Sequence, residues 1–453
     1  MAKSKYQTAP VASKKMPSGI PYIIGNEAAE RFSFYGMKCI LTVFMTEYLM
    51  GQGGDLAPMN ESDAKFWYHV FTMAVYFTPL FGALISDIFL GKYMTIVSLS
   101  LVYFLGHLAL ALDETRVGLT LGLTLIAIGS GGIKPCVSAH VGDQFGAANK
   151  NLLQRVFSWF YFSINLGSFI STLLTPWLLE IYGPQLAFGV PGFLMLLATI
   201  CFWMGRHKFV HIQPAGYGFV RETFDREGLK IIGRLCILYL FVSVFWSLFD
   251  QTGSAWVLQA NHMDLQWMGM ELLTSQIQAA NPLMVMVLIP FCSFVVYPAI
   301  NGFFPLTALR KVSIGFFVTI VAFAIPAWIQ MRIDAGFTPT IGWQLLAYVV
   351  LTTGEVMISI TCLEFSYTQA PHRMKSFVMA VFMCSISLGN GITAFVNSFI
   401  QNPDGSSKLE GSSYYWFFTA LMAVTAIVFI PVAMRYKMQT FIQDGESEAD
   451  GGS

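Results

Sequence analysis

The sequence predicts an all-α membrane protein of twelve transmembrane helices in two six-helix bundles, with both tails cytoplasmic. Three observations predict it. Of 453 residues, 55% are hydrophobic and only 11% charged, against about 25% charged in an average soluble domain; mean hydropathy is +0.59. Apolar runs long enough to cross a bilayer, about 20 residues each, recur along the chain. With the N-terminus inside, nineteen Lys and Arg fall on the tails and even-numbered connections, and only Lys65, Arg116, Arg332 and Lys408 on outer loops. That is the bias of a cytoplasmic face. A net charge of zero gives no reason to expect a nucleic-acid partner. The seven cysteines fall inside apolar runs without metal-site spacing and read as small buried hydrophobes. No metal and no cofactor is expected.

The elements follow in order. A cytoplasmic tail, 1–19, carries Lys3, Lys5, Lys14 and Lys15. The first run, near 20–46, contains charges and no small-residue cleavage site, so it reads as a retained helix. Runs near 66–90, 93–112, 117–140, 153–180 and 186–205 complete an N-terminal bundle, 20–206. The most polar connection, RHKFVHIQPAGYGFVRETFDREGLK, supplies a cytoplasmic linker, 207–229. Runs near 231–257, 280–301, 312–331, 342–369, 376–400 and 413–434 form a C-terminal bundle, 230–437, before a cytoplasmic tail, 438–453. Six spans, a linker and six spans is the layout of the major-facilitator fold. GALISDIFLGK, residues 82–92, resembles that superfamily's loop between helices 2 and 3, with Asp87 and Lys92 at its cytoplasmic end. Gly82, Ala83 and Ser86 are small enough for close helix packing there. The loop is assigned a gating role.

Charges inside the spans point to function. GNEAAERFSFYGMK, residues 25–38, puts Glu27, Glu30, Arg31 and Lys38 in an apolar run. A lipid-facing charge at the bilayer centre costs at least roughly 2.5–3.5 kcal/mol on insertion scales, so these residues should face a cavity or a partner. At about 100° per residue, Glu30 lies at about −60° from Glu27, Arg31 at about +40°, Phe34 at about −20° and Lys38 at about +20°. They share one stripe, with Tyr35 on its margin. Glu30 can pair with Arg31, and protonating a nearby carboxylate would free Arg31 for another anion. The second span carries His69, which can change charge near physiological pH or simply pack near the outer end; Tyr76 follows two turns later. The fourth carries Lys134 before Pro135, and a lysine at that depth needs an anion. Further along lie Asn165, Trp246 and Asp250 one turn apart, Asn281, Glu355 and Glu364. Intramembrane cations thus belong to the first half and unpaired acids to the second. A cavity between them would be bipolar and suit a small zwitterion. Residue types alone leave peptide, amino acid and other dipolar solutes open.

Longer motifs narrow the choice. NEAAERFSFYG resembles the helix-1 signature ExxERFxYYG of the proton-coupled oligopeptide transporters. GGIKPCVSAHVGDQF, residues 131–145, and FSWFYFSINLGS, residues 157–168, resemble two further signatures of that family. FWSLFDQTGSAW and GEVMISITCLEFSYTQAP resemble its helices 7 and 10, in a form close to animal members. The resemblance implies proton-driven symport of di- and tripeptides by alternating access, with protons as the only coupling ion. It implies that Glu27, Glu30 and Arg31 couple protons, with His69 and Asp250 as further proton-linked positions. It assigns the peptide carboxylate to Arg31 and Lys134, and the amino terminus to Asn165, Asn281 and Glu355. Tyr35 and Tyr76 would hydrogen-bond the peptide, Trp246 would shape the side-chain pocket, and Lys38 would close an outer gate with Asp250.

Departures from the family pattern are informative. Phe34 replaces the first tyrosine of the usual pair, and Phe382 stands where helix 11 often has tryptophan. Linker 206–230 is too short for the two extra helices of many bacterial members, and RIDAGFTPTIG leaves no room for the extracellular domain of animal members. The expectation is a bacterial inner-membrane protein, multi-pass and surrounded by lipid, working as a monomer. Two other readings are kept. A same-fold carrier of nitrate or another small solute is disfavoured by Glu355, which would repel an anion. A non-transporting receptor or an enzyme is disfavoured because nothing resembles a signalling domain or a nucleophile–base pair.

Overall fold

Where an apolar run leaves water, a short polar side chain takes up a free backbone amide of the first turn. Asn60 accepts from Asp63 N, Thr115 from Val117 N, Asp225 from Gly228 N and Thr307 from Arg310 N. The computed structural model describes residues 6–11, 13–214, 216, 218, 223–369, 375–402 and 407–436. Lys3, Lys5, Arg221, Arg373, Lys437 and the tail 438–453 lie outside the described residues. The helices are α1 (Ile20–Val43, continued by a π turn, Phe44–Tyr48), α2 (Glu61–Ile85), α3 (Lys92–Leu112), α4 (Arg116–Asp143), α5 (Leu153–Tyr182) and α6 (Pro184–Met204). There follow α7 (Arg226–Phe249, extended by Asp250–Gly253 and Ala255–Ala260) and α8 (Ala280–Phe291, entered through Thr274–Ala279 and continued to Asn301). The last four are α9 (Ala308–Asp334), α10 (Gly342–Glu355, continued through a π turn, Val356–Ile360, into Thr361–Gln369), α11 (Lys375–Ile400) and α12 (Ser412–Arg435).

Eleven of these, among the described residues, are long and apolar enough to cross a membrane. The exception is α1 with its π turn, which has the length but carries Glu27, Glu30, Arg31, Lys38 and Glu47. Burial falls into two separate cores, one drawn from residues 20–209 and one from 231–429. In the first, α1 packs on α5 and α6, and α4 on α2 and α3. Close approach at the α2–α4 crossing is set by glycine: a Cβ on Gly82 would overlap the Gly132 carbonyl. In the second, α9 packs on α10 and α12, and α7 on α11. Between the halves, α2 meets α11 and α5 meets α8.

Two features were not foreseen. The outer connection from α7 to α8 holds an antiparallel hairpin, β1 (Gln266–Trp267) with β2 (Met270–Glu271). Its two central residues, Met268 and Gly269, have φ of 52° and 81°, the left-handed pair that matches the twist of a two-residue hairpin. On the inner side, residues 6–11 and 13–18 run beneath the N-terminal bundle. Gln7 bridges Val210, the Tyr6 ring stacks on His211 at 4.3 Å, and Asn149 donates to the Lys15 carbonyl.

Candidate functional site

The outer side of the site is closed by a chain of buried polar groups drawn from both bundles. Lys38 Nζ on α1 donates to Asp250 Oδ1 at the end of α7, 2.7 Å away. Asn390 Nδ2 on α11 donates to Asp250 Oδ2 at 2.7 Å. Because that amide nitrogen faces a carboxylate, Asn390 Oδ1 is left to accept, and His69 Nδ1 on α2 lies 2.7 Å from it. Nδ1 of His69 therefore carries the proton in this arrangement. In the neutral ring Nε2 accepts from Ser254 Oγ, 2.9 Å away. Thr42 Oγ1 donating to the Gly253 carbonyl, Gln278 to the Cys39 carbonyl and Gln401 to Asp63 add further ties on the outer half. Loss of either partner would leave an uncompensated buried charge, at a cost of about 3–5 kcal/mol, so Lys38 and Asp250 depend on each other.

Toward the inner side, a second cluster is neutral within itself. Arg31 Nε lies 2.7 Å from Glu27 Oε1 and 3.2 Å from Glu30 Oε2. Lys134 Nζ, on α4, lies 3.6 Å from Glu30 Oε1, and Ser130 Oγ donates to the same oxygen at 2.8 Å. Lys134 also donates to Ser130 Oγ at 2.9 Å. Both glutamates are buried, and two acids balance two bases. Phe34 was expected on the polar stripe. Like Glu27 and Glu30 it is buried there, and the Lys134 ammonium sits 4.0 Å from its ring centroid. The residue missing a hydroxyl is thus a cation–π platform for Lys134.

Between these two groups lies a cavity of about 260 Å³. Tyr35, Lys38, Tyr76, Asn165, Trp246, Asp250, Asn281 and Glu355, all singled out from sequence, line it, joined by Tyr68, Tyr161 and Tyr348. Asn281 Nδ2 donates to Glu355 Oε2 at 2.7 Å and to Thr352 Oγ1 at 3.1 Å. Among the described residues no cation forms an ion pair with Glu355. Asn165 lines the same cavity as Asn281 and Glu355, and its Nδ2 donates to the Tyr161 carbonyl of its own helix. Glu27, Glu30, Arg31 and Lys134 are not among the lining residues; Lys134 reaches this space across Tyr76, 5.9 Å from its ring. The volume is just below the roughly 300–1,000 Å³ of pockets for drug-sized ligands, which sets a small solute as the scale. His69 lies fully buried in the outer chain, not at the membrane interface.

At the inner end, Lys92 opens α3 and pairs with Asp143 at the end of α4, at 2.7 Å, and not with Asp87. Phe382 is buried against Tyr239, and Glu364 is exposed in the inner half of α10. Sequence reasoning missed Ser130, Asp143, Ser254 and Asn390. Only Asn390 offers a clear signal, an amide between two glycines in an apolar run, SLGNGIT. No group of three or more His, Cys, Asp or Glu able to hold a metal occurs among the described residues.

With that geometry in place, similarity to known proteins is informative. Residues 93–226 and 219–417 match the model of the POT family. The chain is 37% identical over 365 residues to Peptide transporter family 1 of Drosophila melanogaster, covering 70% of this chain and 48% of that protein. It is 35% identical over 403 residues to Solute carrier family 15 member 2 of Homo sapiens, covering 78% of this chain and 54% of that protein. The chain spans about half the length of the curated relatives it matches. Among solved structures, the POT family transporter PepTSo superimposes with a TM-score of 0.85 at 37% identity, over 94% of this chain and 99% of that one.

Proposed function

Because the chain belongs to the POT family, a family of multi-pass membrane transporters, we propose that it is a proton-driven symporter of di- and tripeptides. The observation that carries this reading is the asymmetry across the cavity. Glu355 presents a carboxylate held only by an amide, while the nearby cations Arg31 and Lys134 are occupied by Glu27 and Glu30. A peptide amino terminus is the natural partner of Glu355 and Asn281. A peptide carboxylate is the natural partner of Arg31 and Lys134 once a proton on Glu27 or Glu30 releases them. Peptide and proton enter together from outside, and Lys38 and Asp250 close the outer gate behind them. Loss of the proton inward lets the glutamates reclaim their cations and expel the carboxylate. Competing ion pairs supply the differential affinity that coupling requires. Tyr35 and Tyr76 hydrogen-bond the peptide, Trp246 bounds its side-chain pocket, and His69 and Asp250 are the other candidates to carry the proton. Residues 20–206 and 230–437 rock as two bundles, with the Asp87–Lys92 loop gating at the inner end. The protein works as a monomer in a bacterial inner membrane.

The test is pH-gradient-driven uptake of dialanine into proteoliposomes. Glu27→Gln and Glu30→Gln should each lose accumulation against the gradient yet still exchange peptide for peptide. Undiminished uphill uptake by both variants would overturn the coupling scheme. Entry of C-terminally amidated peptide as readily as free peptide would overturn the bipolar site. Counterflow by nitrate in place of dialanine would select the anion-carrier reading.

A further inference from the structure

A second cavity, of about 300 Å³, lies on the outer face beyond the closed gate. Its N-terminal wall is the start of α2, with Glu61 and Lys65; its C-terminal wall includes His262, Glu410, Tyr414 and Tyr415. Its floor is Ala255, whose carbonyl accepts from Tyr415 Oη at 2.9 Å, directly after the Ser254 that ends the buried polar chain. Half-buried Lys65 has its ammonium 4.5 Å from the Tyr414 ring centroid, and among the described residues no carboxylate forms an ion pair with it. Glu61 and Glu410 are exposed at the same cavity, and among the described residues neither is ion-paired to a cation. A cation and two acids thus line one small space, with Glu61 in electrostatic reach of Lys65 but in no direct ion pair with it among the described residues. That charge pattern repeats, outside the gate, the bipolar logic of the central cavity.

We infer that this outer cavity is a second site for a small zwitterion, with the ligand carboxylate on Lys65 and its ammonium on Glu61 and Glu410. Its walls come from both bundles, so a bound ligand ties the bundles together on the outside. A ligand that prefers one state stabilises that state by the same free energy. External peptide filling this cavity therefore holds the gate shut and slows its own uptake at high concentration. This consequence, but not the binding itself, rests on the peptide-transport reading.

The experiment uses purified full-length protein and dialanine. In nanodiscs, equilibrium binding should resolve two sites in the wild type, one lost in Glu355→Gln and the other in Lys65→Gln, with Lys65→Arg restoring it. In proteoliposomes, wild-type uptake should fall by about twofold or more as external dialanine rises past its optimum, whereas Lys65→Gln should reach a plateau with low-concentration uptake unchanged. Unchanged stoichiometry in Lys65→Gln, or high-concentration inhibition that survives the substitution, overturns the proposal. Absence of uptake by the wild type alongside Lys65-dependent binding would sink the transport reading and leave the outer site standing.

Discussion

The two walls that flank the central cavity treat charge in opposite ways. On the N-terminal side, Glu27, Glu30, Arg31 and Lys134 neutralise one another, with Ser130 bridging. On the C-terminal side, Glu355 has an amide partner and no counter-ion among the described residues. A self-neutralised cluster can be opened by one proton, because every cation in it is already being competed for. An uncompensated carboxylate needs no trigger and simply waits for a cation. For the proposed peptide substrate, the comparison predicts that the two ends are handled differently: the amino end would meet a standing charge, the carboxylate end a switched one.

The sharpest break of that contrast is Lys134→Ala. It leaves Glu30 with Arg31 as its one ion-pair partner and removes the cation that reaches the cavity across Tyr76. Truncating one partner of a buried, hydrogen-bonded charge pair costs a complex about 2–5 kcal/mol, so with Lys134 as the carboxylate's partner dialanine uptake should fall by roughly two to three orders of magnitude; uptake within tenfold of wild type would contradict the switched-cation role. Next comes Glu355→Gln. Hydrogen bonds to charged groups contribute about 1.5–3 kcal/mol, so affinity for free dialanine should weaken by roughly 10–100-fold while that for N-acetylated dialanine, already poor, stays put. Competition assays would show whether the two ligands separate in this way. Asn281→Ala removes only the amide that orients Glu355. A smaller effect follows, about tenfold in KM with kcat nearly unchanged. Last is Asn165→Ala. Its amide serves its own helix, and a change in uptake under about twofold is expected; a loss as large as that of Asn281→Ala would return it to the amino-terminal site.

Much of this was legible in the chain itself. The run near 93–112 became Lys92–Leu112, and that near 376–400 became Lys375–Ile400, because hydropathy and bilayer thickness constrain length tightly. The grouping of Lys38 with Asp250 and of Asn281 with Glu355 came from the family resemblance; the residues alone said only that each is a polar group too costly to leave in lipid alone. Other partners were not readable. Ser130 carries no charge, and nothing in its position four residues before Lys134 marks it as the bridge to Glu30. Asn390 is 140 residues from the carboxylate it holds, and no periodicity records such a pairing. Lys92 had a nearer acid in Asp87, yet the ends of α3 and α4 bring Asp143 to it. For Phe34, angular position gave the direction and not the neighbour: it faces the charged cluster, where its ring meets Lys134.

The charges of α1 also bear on how the protein is made. Lys38 and Asp250 are separated by 212 residues. At a synthesis rate of about 5–20 residues per second, the partner of Lys38 reaches the membrane roughly 10–40 s after it. Until then α1 must be held beside water or beside the insertion machinery, since a lone charge at the bilayer centre costs at least roughly 2.5–3.5 kcal/mol. Helix α1 thus precedes its partner α7 in synthesis, and arrival of the second bundle supplies the counter-charge that Lys38 lacks until then.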